Sequence, residues 1–294
     1  MKMLLILFAI ALIPISCAIA YLRIKNKALL ISAGIGALAW LIALMRSVIL
    51  QPTYFLIGSP KLPPIWFIGV SAILAGIFEK CFRYLFMKHM VSKRDWYNGV
   101  IFGLGAAFLE AILIYCIPVF LMRLQMGEGL PFLFEALPGP VERNLAACIH
   151  VGCSLLVLHS LRTRWMLGIA ISFHSIVDFV TPTMVSHSSL TVWQVESVLA
   201  IFAGVALVIT YLEKTPLSKP IEVEREKVSW GADFFGIGLR YHKFVCQHCG
   251  NIVKISSLSR LLGPHKPRSH YLKCPKCGKR SWMKVDRETY PEVK

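Results

Sequence analysis

The sequence predicts an all-α polytopic membrane protein of about seven transmembrane helices, followed by a small β-rich domain. Three observations predict it. Hydrophobic residues make up 56% of the 294-residue chain and charged residues only 16%, against about 25% charged in soluble domains. Seven apolar runs each approach the ~20 residues that cross a hydrocarbon core. Four of the nine cysteines form two Cys-x-x-Cys pairs near the C-terminal end. Cys17, Cys81, Cys116, Cys148 and Cys153 instead lie singly in apolar runs, where cysteine behaves as a small core residue.

The first run, residues 3–22, is long for a secretory signal and lacks a convincing small-residue cleavage site, Ser16-Cys17-Ala18 being the nearest. It is expected to remain as a span, and the six runs that follow disfavour a lipoprotein reading at Cys17. The others cover roughly 28–45, 65–87, 98–122, 144–160, 165–181 and 190–212. Basic residues alternate between the loops. Arg23, Lys25 and Lys27 follow the first run; Lys88, Lys93 and Arg94 the third; Arg162 and Arg164 the fifth; and the tail opens at Lys214. The positive-inside rule then places the N-terminus outside and the tail in the cytoplasm. Arg46, Lys61, Arg123 and Arg143 fall in the opposite loops, and the glycine- and proline-rich stretch 123–143 reads as a long outer connection, in which Leu130–Leu137 can dip into the interface.

The expected domains are a membrane domain over 1–212, a linker over 213–239 and a cytoplasmic domain over 240–294. The tail 213–294 carries 17 basic and 8 acidic residues, a net +9 of the chain's +16, so it is a separate, basic, water-soluble unit. Within the linker, Trp230–Leu239 is apolar and reads either as a segment on the inner membrane surface or as plain packing.

Ionisable residues inside apolar runs are costly, at about 2.5–3.5 kcal/mol each near a helix centre. The third run nevertheless carries Glu79, Lys80 and Arg83 within one turn. Glu79 and Arg83 share a helix face as i and i+4. The fourth run carries Glu110, the fifth His150, and the sixth His174 and Asp178, again i and i+4. Each has a bland reading: a structural ion pair for Glu79–Arg83, a paired acid for Glu110, a hydrogen-bonded core histidine for His150, a satisfied His–carboxylate pair for His174–Asp178. Their joint occurrence on four runs disfavours a purely structural account of all of them. The set suits peptide hydrolysis within the bilayer, with a carboxylate as general base on water and imidazoles stabilising the oxyanion or positioning the water. Two histidines with carboxylates can also hold a catalytic zinc with an open position, although HExxH is absent.

At Glu79-Lys80-Cys81-Phe82-Arg83, Gly103–Glu110, His150-Val151-Gly152-Cys153-Ser154 and His174-Ser175-Ile176-Val177-Asp178, residues 1–212 resemble the CAAX-processing and PrsW-like superfamily of intramembrane endopeptidases, most closely its YhfC-like branch. The resemblance implies that Glu79 is the water-activating base and Arg83 its orienter. His150 and His174 would be the polarising groups, with Asp178 fixing the His174 tautomer, while a role for Glu110 stays open. Lys80 stands where the family pattern has a second acid, and Ala106 where it has a histidine. The resemblance also allows a second zinc in the membrane site.

In the tail, Cys246-Gln-His-Cys249 and Cys274-Pro-Lys-Cys277 offer four thiolates, and Gly250 and Gly278 follow the two pairs. Two such knuckles describe a zinc ribbon, a closed structural Zn²⁺ site, and a reducing cytoplasm favours metal over disulfide. His248 is expected to be a solvent-facing bystander. Residues 240–294 hold 13 basic and 3 acidic residues. Tethered to a membrane, such a surface suits anionic inner-leaflet lipid or a protein partner better than nucleic acid.

Three functions follow: an intramembrane endopeptidase acting on a membrane protein or peptide, a non-catalytic receptor that keeps the fold and signals through the ribbon, and a small transporter using the acids and histidines as a proton relay. The first accounts for the most residues.

Overall fold

The computed structural model describes residues 2–25, 29–56, 63–126, 136–221, 241–246, 248–249, 252–256, 265–266, 269–274 and 276–285. Contacts divide the chain into Met1–Glu224 and Arg225–Lys294. Among the described residues, seven helices are long and apolar enough to cross a membrane. The protein is an integral membrane protein.

Helix α1 covers Lys2–Lys25. Helix α2 covers Leu29–Leu56, interrupted by a 3-10 turn at Leu44–Arg46. Helix α3 covers Ile65–His89 and starts behind Pro64, whose fixed φ of −58° suits a helix entry. Helix α4 starts at Trp96, capped by Asp95, whose carboxylate accepts from the Asn98 amide at 3.0 Å. It runs to Glu110, passes through a π turn at Ala111–Cys116 and continues over Ile117–Met126. Helix α5, Pro138–Ser160, carries proline in its first turn, where the missing N–H has no helical partner to lose. Helix α6 covers Trp165–His187. Helix α7, Val192–Leu212, begins with a Thr191–Gln194 capping box.

Four helices outrun their sequence boundaries. Helix α2 extends to Leu56, α4 to Met126 and α6 to His187, and α5 begins at Pro138. Arg46, Arg123 and Arg143, expected in loops, therefore lie in helices. Of the connection expected over 123–143, residues 127–135 lie outside the described residues.

Close backbone contact holds α2 against α4. A Cβ on Gly36 would stand 2.0 Å from the Phe102 carbonyl oxygen, and one on Gly105 2.0 Å from that of Ala33. Small residues at such crossings let transmembrane backbones approach. Ser32 donates to Asn98 across the same contact at 2.6 Å.

The expected linker is partly a packed element. Residues 213–221 fold back on the membrane unit, with Leu217 and Ile221 buried. The Trp96 amide donates to the Leu217 carbonyl at 3.0 Å, and the Ile221 amide to that of Arg94 at 2.8 Å. Glu213 meets His159 at 2.8 Å. Two apolar side chains spaced one helical turn apart supply the burial that their polar neighbours conceal. The remainder, including Trp230–Leu239, lies outside the described residues.

In the second unit, β1 Tyr241–Val245, β2 Ile252–Ser256, β3 His265–Lys266, β4 Ser269–Lys273 and β5 Arg280–Val285 form one sheet in the order β2-β1-β5-β4-β3. Each pairing is antiparallel, with Tyr241 opposite Ser256 and Tyr271 opposite Trp282.

Candidate functional site

The membrane unit contains a partly open cavity of about 340 Å³. Its lining includes Glu79, Glu110, His150, His174 and Asp178, together with Trp40, Arg46, Arg143 and Thr181. The lining residues come from α2, α3, α4, α5, α6 and α7.

Glu79 is at the centre. Its Oε2 lies 3.2 Å from Arg83 Nη2, 3.5 Å from Lys80 Nζ and 3.2 Å from His174 Nε2. Its Oε1 lies 3.2 Å from Arg46 Nη1. Lys80 and Arg83 are fully buried. Glu79 is thus partnered from α2 and α6 as well as from its own helix, as a buried ion requires. Arg83 does more than orient the acid. It donates to the His150 carbonyl and to Ser154 Oγ, both at 3.1 Å, and also meets His150 Nδ1.

His150 Nε2 lies 2.8 Å from Glu110 Oε2, while Arg143 donates to Glu110 Oε1 at 2.9 Å and also meets Glu142. Glu110 stands at the last position before the π turn of α4, a local widening that re-aims side chains and recurs at functional sites. His174 Nε2 is 3.2 Å from Glu79 and 3.4 Å from Asp178 Oδ2, yet neither ring nitrogen has an aligned hydrogen bond. Its ring centroid is 6.1 Å from that of His150. Pro182, one turn beyond Asp178 in α6, also lines the cavity and removes the N–H that the Asp178 carbonyl would otherwise accept.

The structure therefore brings together all six residues singled out in the membrane runs. It adds Arg46 and Arg143, which composition had put in loops. Each sits at the edge of an apolar run, and local composition carries no signal for either. Ala106, where a histidine is expected from the resemblance, is fully buried and is not in the cavity lining.

Residues 9–126 match the model of the YhfC intramembrane metalloprotease family. The "Uncharacterized membrane protein YhfC" of Bacillus subtilis (strain 168) is 30% identical over 128 residues, covering 34% of this chain and 50% of the relative. The chain thus spans about half the length of the curated relative it matches. The YhfC match takes in Glu79, Arg83 and Glu110. His150, His174 and Asp178 lie beyond it.

A metalloprotease implies a metal in the membrane site, and the donors here do not fit one. Among the described residues, the four ribbon cysteines are the group that brings three or more ligand atoms within 4.8 Å of one another. Both nitrogens of His150 are engaged, and three cations already surround Glu79. Arg46, Lys80, Arg83 and Arg143 balance Glu79, Glu110, Glu142 and Asp178 in formal charge. A divalent ion would disturb that balance.

The tail differs. The Sγ atoms of Cys246 and Cys277 are 3.8 Å apart and those of Cys249 and Cys274 3.6 Å. A tetrahedron with ~2.3 Å metal–sulfur bonds has edges of about 3.8 Å, so this group can hold a metal ion. Gly278, at φ +71°, makes the turn behind the second pair, with its amide donating to the Cys274 carbonyl at 2.9 Å. The backbone amide of Cys277 beside the Cys274 sulfur brings that thiol down to about 6, which favours the thiolate a metal needs. His248 is exposed, and Gly250 lies outside the described residues.

Proposed function

We propose that the membrane unit is an intramembrane endopeptidase that hydrolyses peptide bonds of membrane-associated proteins through Glu79. The observation that carries the reading is the cavity on which Glu79, His174 and Asp178 converge.

Glu79 takes a proton from a water molecule as the water oxygen bonds to the peptide carbonyl carbon. The carbonyl oxygen gains the negative charge, and an N–H on His174 Nε2 stabilises it. Asp178, 3.4 Å away on the same helix face, keeps the His174 ring beside Glu79. The C–N bond then breaks, the proton on Glu79 passes to the departing nitrogen, and an amine and a carboxylic acid leave. His150, held by Arg83 and Glu110, positions the Glu79–Arg83 pair. No step passes through a metal.

The ribbon binds zinc, because four thiolates at tetrahedral spacing suit that ion. It sits in the cytoplasm, with the N-terminus outside, on the charge pattern of the connecting segments. Its basic surface docks on anionic lipid or a protein partner.

A second reading is favoured by one observation. Glu79 is already neutralised by Arg46, Lys80 and Arg83, as suits a receptor that retains the fold without the reaction. Membrane proteomes of cells carrying the wild type or Glu79→Gln at matched expression separate the two. Full-length membrane proteins that accumulate in the variant, with their fragments missing, support the peptidase. Identical proteomes, with a phenotype that follows Cys246→Ser, sink it in favour of the receptor.

A further inference from the structure

Arg46 occupies an unusual position. It ends the 3-10 turn Leu44–Arg46, which breaks α2 into two helical pieces. Before the turn, α2 is anchored in the bundle, with Ala39, Trp40 and Ala43 buried. Beyond it, none of the residues of Ser47–Leu56 is buried, and the piece carries Pro52, which removes a further helical hydrogen bond. Its aromatic contact with the bundle is Tyr54 against Phe67, with ring centroids 5.4 Å apart. Such a piece has little apolar burial to hold it in place. Arg46 is the ionic tie: its guanidinium reaches 3.2 Å to Glu79 Oε1 from the wall of the cavity, with Leu44 beside it.

From this geometry we infer that Arg46 is a latch: its ion pair with Glu79 holds the segment 44–56 closed over the cavity and covers the carboxylate oxygen that faces it. The 3-10 turn is the hinge. Opening carries Arg46 off Oε1 and uncovers Glu79, and the gap admits an extended, membrane-embedded peptide segment from the side of α2. The functional part rests on Glu79 being the base of the reaction. The latch itself does not, since an ion pair closes a segment whether or not chemistry follows.

The test is a double-mutant cycle on the full-length protein in detergent, read by amide hydrogen exchange and by dicyclohexylcarbodiimide labelling of carboxyl groups. Arg46→Met is expected to speed exchange across 44–56 about tenfold, as suits the loss of one charge-assisted contact, and to raise labelling at Glu79. Glu79→Gln speeds the same amides. The double variant goes no further than either single one, because each breaks the same tie. Arg46→Lys restores slow exchange in part. The amides of α5 serve as the folding control and stay as in the wild type. Unchanged exchange over 44–56 in Arg46→Met, or additive effects in the cycle, overturns the latch.

Hydrolysis then tests what the latch does. A latch lowers the fraction of competent molecules, so Arg46→Met is expected to lower KM several-fold with kcat nearly unchanged. A kcat that collapses with KM unchanged overturns the gating and makes Arg46 part of the reaction. Wild type with no Glu79-dependent cleavage sinks the peptidase reading instead, and the exchange cycle still decides the latch.

Discussion

Arg83 and His150 meet through the guanidinium and Nδ1, and that contact decides the chemistry of the ring. A guanidinium only donates, so Nδ1 accepts and the ring proton resides on Nε2, where it points at Glu110 2.8 Å away. One arginine thus ties the acid of α3 to the acid of α4 through an imidazole of α5. The pairs of the site form one connected network rather than separate bridges.

A network of this kind fails when a middle member is lost. His150→Leu leaves Arg83 short of an acceptor and Glu110 short of a donor in a buried setting. Breaking such an arrangement costs about 3 kcal/mol. A clear fall in the melting temperature of the detergent-solubilised protein is expected. His150→Gln should recover part of it, because an amide can both accept from Arg83 and donate to Glu110. Equal melting temperatures for Leu and Gln would show that the hydrogen bonds carry no stability.

Much of this was legible from sequence, for a physical reason. An ionisable residue within an apolar run has few places to go, so Glu79, Glu110, His150, His174 and Asp178 announce an interior site by their cost alone. Arg46 and Arg143 were illegible for the converse reason. Each lies at the edge of an apolar run, where local composition reads as loop, and each is drawn inward by an acid 33 residues away in sequence. The packed stretch 213–221 was hidden likewise, since Leu217 and Ile221 are scattered among charges and find their partners only in the folded bundle. Element ends and long-range partners are tertiary facts.

The crossing of α2 and α4 is set by backbone contact, which predicts a sharp contrast among glycines. Gly36→Ala and Gly105→Ala each place a methyl group 2.0 Å from a carbonyl oxygen of the facing helix. Neither helix can yield without moving, and overpacking of this kind costs about 1–3 kcal/mol. Gly34→Ala and Gly204→Ala meet nothing within 4 Å and should leave the melting temperature at or slightly above that of the wild type. Equal behaviour of all four would remove the contact as a determinant of stability.

Leu217 predicts a separate local effect. Its side chain is fully buried although its neighbours are polar. Leu217→Ala should cost about 2–4 kcal/mol, expressed as detachment of 213–221 rather than collapse of the bundle. Limited proteolysis reads this directly: cleavage within 213–221 speeds up while the helices stay intact. Cleavage at the wild-type rate would mean that the backbone bonds to Arg94 and Trp96 hold the segment unaided.

The two candidate metal sites make opposite predictions, and metal analysis of the purified protein separates them. Cys246, Cys249, Cys274 and Cys277 can supply a closed four-thiolate shell. In the membrane, Glu79 already carries Arg46, Lys80 and Arg83, and His150 has no free nitrogen. About one zinc ion per chain is therefore expected, with none left in Cys246→Ser/Cys274→Ser. Glu79→Gln should keep the full content, because the ion is bound elsewhere. Two ions per chain in the wild type, with one lost on Glu79→Gln, would show that the membrane acids gather a metal after all. Lys80 and Arg46 would then have to move aside to admit it, and the reaction would no longer rest on Glu79 alone.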